Sequence, residues 1–219
     1  MPVAEFPPLS EADEDGLLAI GGDLHPESLI LAYSQGIFPW PISDDYPLAW
    51  FSPDPRGVIF IKDLHISRRL KRYQKSLSLE FKFNNNFHQV IKSCASAKRK
   101  DQDSTWITDE IIQGYQALFN HGLAYSIEAY QKGLLVAGVY GTCINGAISG
   151  ESMFTTIDQG SKLCLIKLLE VLKENKVEWL DTQMVSPVVK QLGGVEIPRD
   201  EFISLLASAK ALNYRKVFK

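Results

Sequence analysis

The sequence predicts an α+β protein, with a small loop-rich N-terminal domain over residues 1–62 and a larger domain over 63–219 built on a mixed, largely antiparallel sheet flanked by helices. Three observations predict it. Most of the prolines and several turn signals fall before residue 62, helical and strand patterns alternate after it, and three strand patterns run consecutively before a final strand, helix, strand succession.

The elements follow in chain order. Residues 25–36, HPESLILAYSQG, read as a helix: Pro26 and Glu27 suit a first turn, Leu29, Ile30, Leu31 and Tyr33 supply an apolar face, and Gly36 supplies a stop. A basic helix is expected near 66–76, a strand at 77–83, a helix near 84–96, a polar loop at 96–104 and a helix near 108–121. Strands then read at 124–131, 134–141 and 146–154, with Lys132-Gly133 as a hairpin turn between the first two. A helix at about 160–175, a strand at 177–184 and a helix near 199–210 complete the chain.

Composition narrows the function classes. A chain of 219 residues with 45% hydrophobic content is an ordinary globular protein, which sets disorder and collagen-like structure aside. No apolar run approaches the roughly 18 residues that span a bilayer, and the Pro- and acid-rich start lacks a signal-peptide pattern, so a cytoplasmic protein without membrane attachment is expected. Three cysteines without a CxxC and four histidines without ligand spacing predict neither a disulfide framework nor a metal site.

Charge is distributed unevenly. Residues 1–55 hold ten acidic side chains and no Lys or Arg, whereas Lys62, Arg68, Arg69, Lys71, Arg72 and Lys75 crowd one stretch against the single acid Asp63. One basic stripe in an acidic chain points to a localised anionic partner. On a helix, Leu70, Tyr73 and Leu77 share one face and turn the cations outward, which suits a phosphate track or a solvated surface.

Two further stretches carry chemistry. Glu151, in GESMF, enters an apolar Gly-punctuated region where a charge needs a cationic partner, either a substrate or a buried ion pair. In WLDTQM, strand alternation puts Asp181 and Gln183 on one face, with Leu180 and Thr182 on the other. Such a pair can orient an amide that holds an incoming amine, or be satisfied structurally by a helix N-terminus or Arg199. Phe38, Trp40, Trp50, Phe51 and Trp106 sit in proline-restrained or loop-like contexts, where rings stack on a ligand or plug one lobe against another. Arg56 is expected to pair with Asp54.

Taken in order, GLLAIGGDL, YSQGIFPW, WFSPDPRGV, LHISRRLKR, TWIT, GESMF, LDTQ and LGGVEIPRDEF resemble the bacterial leucyl/phenylalanyl-tRNA protein transferases from about Phe6 to Leu206. The resemblance implies a small domain joined to a GNAT-like acyltransferase domain. It also implies transfer of Leu or Phe, with Met as a further candidate, from aminoacyl-tRNA to proteins beginning with Lys or Arg, as a bacterial degradation signal. Residue by residue, it implies acceptor-stem contacts at Arg68, Lys71, Arg72 and Lys75. The 3′ adenosine would fall to Trp40, Trp106 and Tyr115, and the aminoacyl side chain to a pocket of Val139, Ile148, Leu165 and Leu168. Catalysis falls to Glu151, Asp181 and Gln183, with Thr182 where the family has Cys. No cofactor or metal is expected, because the tRNA ester is already activated, and a monomer is the default expectation.

Overall fold

The computed structural model describes residues 1–42, 46–97, 106–209 and 217–218; most of the polar loop expected at 96–104 lies outside them. The small lobe contains β1 (Leu17–Ile20), α1 (Pro26–Ser34), β2 (Phe38–Pro39) and β3 (Ala49–Phe51). Its strands form a three-stranded sheet in the order β1-β3-β2. The chain continues through β4 (Arg56–Phe60), α2 (Arg68–Ser76), β5 (Glu80–Phe83), α3 (Phe87–Ala95), α4 (Asp109–Asn120), β6 (Ala124–Gln131), β7 (Leu134–Ile144) and β8 (Ala147–Thr155). It ends with α5 (Gly160–Glu174), β9 (Trp179–Gln183), α6 (Pro187–Gln191), β10 (Val195–Ile197) and α7 (Arg199–Ala209).

The seven-stranded sheet runs β10-β4-β9-β8-β7-β6-β5, antiparallel except where β8 meets β9 across the α5 connection. The α+β class and the mixed, mainly antiparallel sheet are as the sequence predicts. Five strands were not legible in the sequence: β1, β2 and β3 of the small lobe, and β4 and β10 of the large sheet, which pair with each other through Val195–Val58 and Ile197–Arg56. Strand β4 belongs to the large sheet although it precedes the expected boundary at residue 62.

Alternation along β7 explains why both faces of the sheet are buried. Val139 and Cys143 join the cluster under α5, while Tyr140 and Ile144 join the cluster with α3 and α4 on the other face. The small lobe shares that second core through Leu29, Ile37 and Trp50. Trp50 is a plug: it is 1% exposed, donates its Nε1–H to the Gly21 carbonyl at 2.8 Å and meets Phe6 edge-on at 4.9 Å.

Helix α2 forms as the sequence predicts. Ser67 caps it by accepting from the Leu70 amide at 3.2 Å, Leu70 and Leu77 pack toward the α5-side core, and Arg68, Arg69, Lys71, Arg72 and Lys75 are exposed. None of these five makes a salt bridge among the described residues. Arg68 and Arg69 occupy the first turn, where the helix dipole favours anions, so folding alone does not account for their placement.

Candidate active site

Two bulges on adjacent strands build the site. Along β7 and β8 the register steps from Tyr140–Ser152 to Gly141–Gly150, which leaves Glu151 as the extra, unopposed residue. Along β4 and β9 it steps from Gly57–Gln183 to Val58–Asp181, which leaves Thr182 unopposed. A bulge re-aims its side chain and ends regular pairing. Gly57 is required here, since a Cβ at that position would lie 2.5–2.9 Å from the Met184 backbone.

Among the described residues, β8 and β9 pair only at Ser149–Asp181. Beyond that point lies a cavity of about 360 Å³, with Gly150, Glu151, Ser152 and Met153 of β8 on one wall and Thr182, Gln183 and Met184 on another. Val139 and Leu165 supply apolar lining, and Trp40 and Trp106 close the cavity with ring centroids 6.4 Å apart. Two tilted indole rings beside an apolar pocket suit a base and an apolar side chain held together.

Glu151 is held by neutral donors. Ser149 Oγ donates to its Oε1 at 2.6 Å, Gln183 Nε2 to the same oxygen at 3.1 Å, and the Tyr115 hydroxyl approaches Oε2 at 3.4 Å. Behind these, Thr142 Oγ1 meets Ser149 Oγ at 2.6 Å and Tyr33 Oη meets Tyr115 Oη at 2.5 Å. No cation pairs with Glu151 among the described residues. Burial pushes its carboxyl up from 4.5 to about 7, and the Ser149 hydrogen bond pulls the other way. Burial and the nearby Glu151 charge also hold Tyr33 and Tyr115 well above the ordinary phenol range, so both stay neutral donors.

Asp181 is engaged elsewhere. Arg56 grips it in a fork, Nε to Oδ1 at 2.9 Å and Nη2 to Oδ2 at 2.7 Å, with both side chains almost wholly buried. The guanidinium also donates to the Gly36 carbonyl at 2.9 Å and lies 4.9 Å from the Phe38 ring centroid and 4.4 Å from that of Phe202. The expected Arg56–Asp54 pair does not form. Asp54 accepts from the Arg199 amide at 3.0 Å, and Arg199 donates to the Ser52 carbonyl at 2.7 Å.

A second donor to Asp181 Oδ1 is the Gln183 backbone amide at 2.9 Å. That bond holds Gln183 at φ +56°, in the left-handed region, and breaks strand alternation. The expected common face for Asp181 and Gln183 is therefore corrected: Thr182 and Gln183 line the main cavity, and Asp181 lines a small void on the other side with Tyr33 and Ser149.

Several expected binding residues lie behind the lining. Tyr115 is buried and reaches the site only through its hydroxyl, while Ile148 and Leu168 are buried in the α5-side core and do not line the cavity. Sequence reasoning missed Tyr33, Ser149 and the role of Arg56. Arg56 had a signal: like Glu151 and Asp181, it is a charge opening or interrupting an apolar strand, RGVIF, and two such charges of opposite sign can satisfy each other.

The sequence model for leucyl/phenylalanyl-tRNA protein transferases matches residues 58–207, and that for their N-terminal domain matches residues 22–54. A leucyl/phenylalanyl-tRNA protein transferase of Flavobacterium johnsoniae is 43% identical over 93% of this chain and 95% of its own length. One of Dechloromonas aromatica is 42% identical over 96% of this chain and 90% of its own. Among solved structures, a GCN5-related N-acetyltransferase from Kribbella flavida overlaps 76% of this chain and 58% of its own, with 11% identity and a TM-score of 0.40.

Proposed function

Since the chain belongs to the leucyl/phenylalanyl-tRNA protein transferase family, we propose that the cavity between β8 and β9 is where it joins the two substrates. The activity is transfer of leucine or phenylalanine from aminoacyl-tRNA to the N-terminus of a protein. In this reading Trp40 and Trp106 hold the terminal adenosine, and Val139, Leu165 and Met153 surround the aminoacyl side chain. Lys or Arg at the acceptor N-terminus is selected by Glu151. The observation that carries it is Glu151 itself, a cavity carboxylate poised near neutrality and held only by neutral donors.

The chemistry follows from the donors. Gln183 gives its Nε2–H to Glu151, which leaves the amide oxygen to accept an N–H of the acceptor α-amine and aim its lone pair at the ester carbonyl carbon. A carboxylate titrating near 7 takes the proton released as the C–N bond forms and passes it to the departing 3′ oxygen as the ester C–O bond breaks, so the RNA leaves with a free 3′-hydroxyl. Asp181 acts as a positioning residue: it fixes the Gln183 backbone and touches neither substrate. We place the lobe division at residues 54–55, just ahead of β4, and the compartment is the one that holds charged tRNA. Among the described residues no helix is long and apolar enough to cross a membrane.

Radiolabelled Leu or Phe on tRNA, offered to a peptide beginning with Arg and to the same peptide beginning with Ala, tests this. Label is expected on the Arg peptide alone, and equal labelling of both would remove the acceptor selectivity assigned to Glu151. The cations of α2 guide the RNA. Replacing Lys71 and Arg72 with Ala is expected to raise KM for aminoacyl-tRNA about tenfold and to reduce the salt slope of binding by about one for each phosphate no longer neutralised. An unchanged slope would return α2 to a solvated surface.

A further inference from the structure

The Glu151 bulge turns on Ser149. Its hydroxyl donates to Glu151, and at Ser149 strand β8 meets Asp181 of β9, so a shift of this one residue disturbs both carboxylates of the site. The Ser149 carbonyl is held from two strands away: the Tyr125 hydroxyl of β6 donates to it at 2.9 Å, across the intervening β7. The ring reaches that far because the residue opposite it on β7 is Gly141, where a Cβ would collide with the Ser149 carbonyl and the Tyr125 hydroxyl. Tyr125 is fully buried, and burial together with the nearby Glu151 charge holds its phenol well above the ordinary range, so it stays a neutral donor.

A second ring fixes this one. Phe218 lies flat on Tyr125, with ring centroids 4.1 Å apart and an interplanar angle of 9°, and its carbonyl accepts from Asn84 Nδ2 at 2.7 Å. Asn84 follows β5 at φ +53° and grips β6 at Ser126, beside Tyr125: its amide donates to the Ser126 carbonyl at 3.0 Å and its Oδ1 accepts from the Ser126 amide at 2.9 Å. One side chain therefore ties Phe218 to the strand that bears Tyr125, and the stacked ring keeps the phenol from tilting away from Ser149. Neither Tyr125 nor Phe218 lines the main cavity.

On the transferase reading above, we propose that Tyr125 and Phe218 are positioning residues for the transfer, the stacked pair holding the Ser149 carbonyl and through it the bulge that aims Glu151 at the acceptor amine. Loss of the Tyr125 hydroxyl takes a donor from a buried carbonyl, and the bulge relieves that by shifting. Both rings act through the backbone, so they govern the rate of the bound complex and leave the binding of aminoacyl-tRNA alone.

Steady-state transfer to a peptide beginning with Arg tests the proposal, at a temperature where circular dichroism shows every variant folded. Tyr125→Phe, which keeps the stack and loses the hydroxyl, is expected to lower kcat about tenfold with KM for aminoacyl-tRNA unchanged. Phe218→Ala is expected to do the same, while Phe218→Tyr, which keeps the ring, stays within about twofold of wild type. Because both single variants act through one hydroxyl, Tyr125→Phe combined with Phe218→Ala is expected to lose about tenfold, where independent effects would multiply to about a hundredfold. Wild-type kcat in Tyr125→Phe would overturn the proposal. So would a loss confined to KM, or a double variant in which the two losses multiply. Failure of the wild type to label the peptide at all would instead remove the transferase reading, and the role of the two rings with it.

Discussion

Replacing Arg56 with Met is expected to lower the free energy of unfolding by about 3–5 kcal/mol, because it strands Asp181 as a buried charge without its cation. The loss extends beyond one ion pair. Arg56 ties together the Gly36 carbonyl, the Phe38 and Phe202 rings and the Asp181 carboxylate, which are far apart along the chain. Transfer is expected to fail in the same variant, since Asp181 fixes the left-handed turn at Gln183. Combining Arg56→Met with Asp181→Leu separates the two effects. An apolar pair of similar volume removes the stranded charge, so much of the stability returns, whereas the Gln183 amide has no acceptor and transfer stays low. Urea unfolding and single-turnover transfer on wild type, Arg56→Met and the double variant decide it. Stability of Arg56→Met within about 1 kcal/mol of wild type would mean that water reaches Asp181 and that the pair is not structural.

How far the site could be read from sequence depended on whether its geometry followed regular periodicity. The alternation that built β6, β7 and β8 and the i, i+3, i+7 spacing in α2 both appear in the structure, and they placed Glu151 on a strand and the cations on an exposed face. Asp181 and Gln183 were located on the right strand but assigned the wrong geometry, because alternation presumes an unbroken strand and a bulge at Thr182 reverses it. A bulge depends on what the neighbouring strand can accommodate, in this case a glycine 126 positions earlier than Gln183, at Gly57. The Arg56 partner was missed for the same reason. Sequence proximity suggested Asp54, and β4–β9 pairing brought Asp181, which only the sheet order could reveal. Strand β10 is three residues long, too short for periodicity to register, and β4 is buried along most of its length on both faces, so it shows no polar–apolar alternation.

Glu151→Gln is expected to stop transfer while stabilising the fold above neutral pH, and the sign follows from linkage. In the unfolded chain the Glu151 carboxyl ionises at its ordinary value of 4.5, whereas in the fold burial raises it to about 7. Below 4.5 both states hold the proton and its contribution to stability is fully present. Between the two values the unfolded chain has lost the proton and the fold retains it, so stability falls as pH rises. By pH 8 the ionised, desolvated carboxylate costs about 3 kcal/mol. Glutamine resembles the protonated acid and does not titrate, so the variant should match wild type near pH 4.5 and exceed it by that amount at pH 8. Activity should move oppositely. Wild-type single-turnover transfer at saturating aminoacyl-tRNA should rise through about pH 7 as Glu151 loses its proton, and Glu151→Gln should fall by about 100-fold or more with that rise abolished. A fold that gives up stability to keep a carboxylate desolvated beside Gln183 is one in which that carboxylate serves the reaction. Parallel pH dependence of stability in the two proteins would show that Glu151 does not titrate near neutrality, and undiminished transfer by the variant would leave it a purely structural acceptor for Ser149 and Tyr115.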